Sequence, residues 1–158
     1  MSSFNRRIVA LSLLALGACG FTPAYGPTGS GAALRGAVTV AAPDDQASYA
    51  LVRQLESRLG RPERPIYDLN YTIETQRRAV GITPEQETTR YHLTGTVTYV
   101  LSDRAGQTVH DGVVRSFTAY AATGSTTSTL TATRDAEERL MVILADRIVT
   151  RLVADLAR

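Results

Sequence analysis

Apolar and polar side chains alternate along much of the chain, and this period-two pattern predicts β-strands. A short β-branched run gives a first strand at 37–41, and longer alternating runs give strands at 67–80, 91–101 and 108–122. Short turns separate the three long strands, so we expect them to pair as an antiparallel meander. One face of each long strand is apolar and the other is polar, which is typical of a sheet covered on one side only.

Two amphipathic helices are predicted from apolar residues spaced three and four positions apart. The first covers 45–59 and ends before Gly60, a common helix terminator. The second is longer, follows a polar loop over 123–133, and is capped by Thr133 or Asp135. The order β-α-β-β-β-α predicts an α+β fold, a two-layer sandwich. In it, two amphipathic helices pack on one face of a mostly antiparallel four-stranded sheet.

The polar face of the long strands has two interpretations, and the sequence favours neither. This face is rich in Thr, Ser and Arg and nearly free of large apolar groups, while the fourth strand includes Val113, Phe117 and Tyr120. In the first interpretation it is a solvated sheet face, because Thr is a good strand former anywhere. In the second it meets something hydrophilic, such as the water-filled lumen of a barrel.

The N-terminal segment follows neither period and is typical of a bacterial export signal. A short Arg-containing start precedes an apolar run over 8–16, which is too short to span a bilayer. The stretch Leu16-Gly17-Ala18-Cys19 resembles the lipobox of lipoproteins, which implies cleavage after residue 18 and acylation of Cys19. The alternative is a plain secretory signal with an unrelated cysteine, although Cys19 is the only cysteine in the chain.

Lipid on Cys19 would tether the protein to a membrane without a spanning segment. Gly20 follows the cysteine in place of the Asp that retains enterobacterial lipoproteins in the inner membrane, so the outer membrane is favoured. The chain is thus divided into a signal peptide (1–18), the lipidated cysteine with a flexible Gly/Ser/Ala-rich tether (19–36) and a single α+β domain (37–158).

Charge argues against nucleic acid as the main ligand. The precursor has 17 basic residues, all Arg, and 15 acidic ones, but Arg6 and Arg7 lie in the signal, so the rest of the chain is balanced. Binding to a phosphate backbone requires a net or clustered positive field.

The residues directly after the lipobox carry a more specific resemblance. The stretch Cys19-Gly20-Phe21-Thr22-Pro23-Ala24-Tyr25-Gly26 resembles the start of the LptE family of lipopolysaccharide (LPS)-assembly lipoproteins, in its alphaproteobacterial form, with Ala24 where Leu is usual. The resemblance implies an outer-membrane lipoprotein that plugs an LptD-type β-barrel from its periplasmic side. It would help the barrel to assemble and assist LPS delivery to the surface, with no cofactor besides the covalent lipid on Cys19.

Three arginines are the best ligand candidates in the domain. Arg77, Arg78 and Arg90 flank one predicted hairpin loop, so strand pairing brings them to the same end of the sheet. Guanidinium groups grip phosphates bidentately, and the phosphates of LPS are suitable partners. The alternative, which the sequence favours over phosphate binding, is that these arginines balance the nearby Glu74, Glu85 and Glu87.

No enzyme site and no metal site are predicted. His92 and His110 lack the spacing of metal ligands. A Ser-His-Asp set can be named from Ser116, His110 and Asp111, but no nucleophile-elbow sequence supports it. The rival functions are an auxiliary periplasmic lipoprotein of an ABC-type lipid transporter and, as a lesser alternative, a lipid-anchored hydrolase.

Overall fold

Helices lie across one face of a mixed sheet in the computed structural model, which describes residues 30–82, 88–122 and 125–156. The elements are α1 (Ser30–Leu34), β1 (Val38–Val40), α2 (Gln46–Leu59), β2 (Tyr67–Ile82), β3 (Thr88–Asp103), β4 (Thr108–Ala121) and α3 (Thr126–Asp155).

The strands lie in the order β1-β2-β3-β4, as the sequence pattern predicts. β2, β3 and β4 form the expected antiparallel meander, with Val97 opposite both Ile73 and Val114. β1 pairs in parallel with β2 through Val38 and Tyr67, because α2 carries the chain back to the start of the sheet before β2 begins. The predicted α+β sandwich is therefore confirmed, with a mixed sheet.

α2 begins and ends where its sequence signals indicate. The Asp45 carboxylate accepts a hydrogen bond from the Ser48 backbone N–H at 2.7 Å, and the Ser48 hydroxyl accepts one from the Asp45 backbone at 2.9 Å. This reciprocal capping box satisfies two otherwise unpaired donors. The Ser48 hydroxyl also donates to the Asp45 carboxylate at 2.6 Å, and this hydrogen bond, followed by that from the Ser48 backbone N–H, lowers the pKa of Asp45. Gly60 follows the helix with a positive φ of 78°, and its N–H donates to Glu56.

The core forms where α3 crosses the centre of the sheet. Gly95 of β3 makes the close approach possible, since a Cβ there would lie 2.9 Å from Leu144 Cδ1 and 3.0 Å from Leu140 Cδ2. Each fully buried leucine contributes roughly 1.5–3 kcal/mol to folding. The other fully buried core residues include Leu51, Leu55, Leu69, Val97, Tyr99, Leu101, Met141, Ile148 and Leu152.

Residues 30–34 differ from the sequence expectation of an irregular tether. They form α1, and Leu34 is only 2% exposed within the core. Ala and Leu are good helix formers, and burial of one leucine side chain holds this short turn. Five residues are too few to show a helical period, so the sequence pattern did not reveal it. The predicted signal and Cys19 lie outside the described residues.

The start of α3 also differs from expectation, because residues 126–133 are helical instead of forming a loop. Ser125 caps the helix by accepting a hydrogen bond from the Ser128 N–H, so capping by Thr133 or Asp135 is wrong. The first turns are exposed and rich in Thr, which favours helices weakly and leaves no apolar period to detect. The Thr131 hydroxyl instead donates back to the Thr127 carbonyl.

The far end of the sheet projects beyond the helices. β2 and β3 reach Ile82 and Thr88, so they are longer than predicted, and the tip of the predicted loop (83–87) lies outside the described residues. From Thr75 to Val80 the side chains of β2 are exposed on both faces. We call residues 75–82 and 88–92 the hairpin arm.

A polar contact joins the outer sides of α2 and α3. Arg58 donates to both carboxylate oxygens of Asp146, at 2.9 and 3.1 Å, and Gln54 donates to the same carboxylate at 2.9 Å. These hydrogen bonds, that from Arg58 first, hold the pKa of Asp146 below its usual value of 3.8.

We expect Gly112→Ala to destabilise the protein by about 1–3 kcal/mol, because a Cβ at Gly112 would lie 2.7 Å from the hydroxyl and 2.9 Å from the ring of buried Tyr99. Gly95→Ala should destabilise the protein by a similar amount, since its methyl group would meet Leu140 and Leu144 inside the core. Urea unfolding of both variants measures these losses, and wild-type stability in either variant would contradict the prediction.

We expect Asp146→Asn to lower stability by about 0.5–1 kcal/mol at neutral pH, since the ion pair is only partly buried. Because folding depresses this pKa, the contribution is present above pH 3.8 and is lost as the pH falls through the lower folded value. Urea unfolding as a function of pH should therefore show the two proteins converging in acid. Asp135→Asn, in an exposed pair with Arg139, is the matched control and should change stability less.

Candidate functional site on the outer face of the sheet

The face of the sheet turned away from α2 and α3 is uncovered in the described part of the chain. We call this surface the outer face. Its members are found from the strand register, since they alternate with the buried core residues. They are Thr72, Glu74, Gln76 and Arg78 of β2, His92, Thr94, Thr96 and Thr98 of β3, and Asp111, Val113, Arg115, Phe117 and Ala119 of β4.

The centre of the outer face is polar, as the sequence pattern predicts, but its β4 side is not. Phe117 is 65% exposed and Val113 is 40% exposed, which corrects the expectation that this face is nearly free of large apolar groups. The Phe117 ring lies 5.8 Å from the His92 ring. Tyr120 points the other way and is buried. Val113 and Val114 are adjacent apolar residues, so alternation alone could not tell which one faces the core.

The three candidate arginines do not form one cluster. Arg78 lies opposite His92 on the outer face, and Arg90 shares that face at the pair it forms with Gly81. Arg77 lies on the helix side of the sheet, because adjacent residues in a strand point to opposite faces. The structure therefore keeps two of the arginines together and separates the third.

Arg77 belongs instead to an aromatic cluster beside the core. Its guanidinium carbon lies 5.2 Å from the centre of the Tyr91 ring, a cation–π contact. The Tyr91 ring stacks on the Tyr120 ring at 5.4 Å. The interaction of the buried Tyr120 hydroxyl with the Arg77 guanidinium raises the pKa of Arg77. The sequence did not reveal this cluster, because it depends on the exact register of the hairpin.

An open cavity of about 470 Å³ lies between the outer face and the β4 edge. Phe117 gives it an apolar wall, and Arg115 and Arg147 place guanidinium groups beside that wall. The remaining lining residues are His92, Thr94 and Ser116. Cationic and apolar groups side by side suit an anionic, amphipathic molecule. The sequence analysis missed this site, since Arg147 reaches it from α3.

The two histidines and the Ser-His-Asp set show no catalytic arrangement. Ser116 and His110 are six residues apart on one strand, which separates them by about 20 Å. His110 Nε2 instead lies 3.2 Å from the Tyr99 hydroxyl and 3.5 Å from Asp155 Oδ2. Within residues 30–82, 88–122 and 125–156, no three His, Cys, Asp or Glu side chains are grouped to bind a metal.

Cys19 lies outside the described residues. Acylation of its thiol therefore stays a prediction. No helix in the described residues combines the length and apolarity needed to cross a membrane.

Solved structures of bacterial lipoproteins share this fold. A lipoprotein from Caulobacter crescentus CB15 is 26% identical, with a TM-score of 0.68 over 81% of this chain and 96% of that chain. Rare lipoprotein B from Shewanella oneidensis, 10% identical, has a TM-score of 0.57 over 75% of this chain and 93% of its own. A minor lipoprotein from Acinetobacter baumannii, 16% identical, has a TM-score of 0.57 over 75% of this chain and 90% of its own. The architecture is thus that of a class of small α+β lipoproteins.

The family is shown by the sequence itself. The family model described as "LptE: Lipopolysaccharide-assembly" matches residues 36–152, most of the chain. No curated protein sequence shows significant similarity to it. The chain belongs to the LptE family, whose members are outer-membrane lipoproteins of LPS assembly. The resemblance that residues 19–26 suggested is therefore confirmed by a separate part of the chain.

Proposed function

We propose that this protein is the plug of an LptD-type β-barrel in the outer membrane. In that position it helps the barrel to assemble and assists LPS delivery to the cell surface, without enzymatic activity. The observation that carries the proposal, together with family membership, is the uncovered outer face. Its central side chains, Thr94, Thr96 and Thr98, are polar and suit contact with a hydrophilic barrel lumen.

The position of α1 limits how far the domain can move from the predicted lipid anchor. Leu34 is fixed in the core and α1 begins at Ser30, so only the chain between Cys19 and Ser30 can act as a tether. Eleven peptide steps span at most about 40 Å when extended. A domain on such a tether, anchored in the inner leaflet, can reach into a barrel but cannot move far from its anchor.

The ligand part of the proposal concerns LPS phosphates and acyl chains. Arg78 and Arg90 offer guanidinium groups on the outer face near the hairpin arm. The cavity beside Phe117 adds Arg115 and Arg147 next to an apolar ring. An amphipathic anion with several phosphates can engage both groups of residues at once, because His92 lines the cavity and lies opposite Arg78 on the outer face.

The barrel partner is tested by affinity purification of the tagged, full-length lipoprotein from outer membranes in mild detergent, followed by mass spectrometry. We expect a large β-barrel protein in stoichiometric amount, and an untagged strain provides the control. Recovery of the lipoprotein alone, or with inner-membrane transporter subunits, would contradict the plug and support the auxiliary-lipoprotein alternative.

We expect the double variant Arg78→Gln, Arg90→Gln to bind LPS about tenfold more weakly, since exposed guanidinium–phosphate contacts contribute roughly 1 kcal/mol or less each and add electrostatic attraction. Binding is measured by titration with fluorescent LPS at low and high salt. Arg77→Gln, on the opposite face, and Arg104→Gln, in the turn after β3, are the matched controls and should retain binding. Equal losses in all variants would assign binding to overall charge and not to the outer face.

A further inference from the structure

The two edges of the sheet differ in how their backbone N–H and C=O groups are protected from pairing with another strand. At β4, two arginines of α3 reach over the strand and occupy outward-pointing carbonyls. Arg151 donates to the Val113 carbonyl at 2.7 Å, and Arg147 donates to the Arg115 carbonyl. Exposed strand edges invite pairing with other chains, and such caps are one way to block it.

The opposite edge of the sheet, formed by β1 and by the rest of β2, has no comparable protection in the described part of the chain. β1 pairs with β2 only from Tyr67 to Leu69, and the last bond is from the Ala41 N–H to the Leu69 carbonyl at 2.9 Å. Backbone N–H and C=O groups point to alternate edges along a strand. Those of every second residue from Tyr71 to Ala79 therefore point to the same edge as the Leu69 carbonyl. No described strand pairs with them there. We call this segment, residues 71–79, the open edge.

The open edge is also accessible to a second strand. α2 begins at Gln46 after its cap at Asp45, beside Tyr71, and runs back toward Gly60. From Glu74 to Val80 the side chains of β2 are exposed on both faces, so no described helix blocks an approaching chain.

Opposite charges on the open edge lie symmetrically about Gln76, so they are complementary to those of a second copy. Glu74 and Arg78 lie two residues on either side of it, both on the outer face. Neither forms an ion pair with any described residue. In an antiparallel pair centred on Gln76, Glu74 of one copy lies directly opposite Arg78 of the other, and the same contact occurs twice.

We infer that two copies of this chain pair through their open edges, as an antiparallel dimer with its two-fold axis at Gln76. Pairs in this register include Ile73 with Ala79 and Thr75 with Arg77, and these exchange main-chain hydrogen bonds. The Glu74–Arg78 pairs fall at non-hydrogen-bonded positions, where the two Cα atoms are only about 4.5 Å apart.

The charges also select this register over its neighbours. Centring the pair on Arg78 would place two guanidinium groups opposite each other, which is unfavourable. Centring it on Glu74 would do the same with two carboxylates. A two-fold contact uses one surface on both subunits and closes at two copies. The inference concerns the lipoprotein free of a barrel partner, and it does not depend on the barrel proposal.

Cysteine cross-linking tests the register directly in the full-length lipoprotein. Gln76→Cys places two thiols on the two-fold axis, at a Cα separation compatible with a disulfide. We expect a covalent dimer under mild oxidation. Thr72→Cys is the matched control on the same strand, because four residues from the axis it would lie about 27 Å from its counterpart. Wild-type protein controls for Cys19.

Charge reversal gives an independent test by native mass spectrometry and sedimentation in detergent. Glu74→Arg alone should weaken the dimer about tenfold, since two ion pairs become repulsive, and Arg78→Glu alone should do the same. The double variant Glu74→Arg, Arg78→Glu should restore it. Equal cross-linking at Thr72→Cys, a monomer with Gln76→Cys, or no restoration in the double variant would overturn the inference.

Discussion

The contact between α3 and the middle of β3 holds this molecule together. At Gly95 the absent side chain lets Leu140 and Leu144 settle against the sheet, and the rest of the core continues along the same helix. This contact decides which face of the sheet is dry. It therefore also decides that Thr94 and Thr98 remain exposed, so the polar surface follows from the packing on the other face.

Sequence periodicity predicted those elements whose residues alternate between core and solvent. The long strands and α2 satisfy that condition, and the Asp45 and Gly60 signals fixed the limits of α2 closely. The two failures, at α1 and at the first turns of α3, share a cause. α1 is too short to display a period, and the Thr-rich start of α3 contacts no core, so neither segment carries an apolar stripe that a pattern could detect.

The candidate site was predicted less completely, because it depends on contacts between distant segments. Nearness along the chain suggested that three arginines act together, yet strand alternation places Arg77 on the other face, against Tyr91. The cavity beside Phe117 needs Arg147, which comes from α3 and which no local pattern connects to β4. The family, by contrast, could be recognised from the eight residues that begin at Cys19, which carry no fold information at all.

The arginines that α3 extends over β4 have a consequence for aggregation. A sheet with two unprotected sides can add strands indefinitely, as amyloid fibrils do. Here Arg147 and Arg151 occupy the carbonyls of Arg115 and Val113 in the middle of β4, which hinders strand pairing at that edge and favours it at the open edge. Pairing through one favoured edge on each molecule closes at two copies. This property suits a β-rich member of a family of outer-membrane lipoproteins, which cross the periplasm before they reach their membrane.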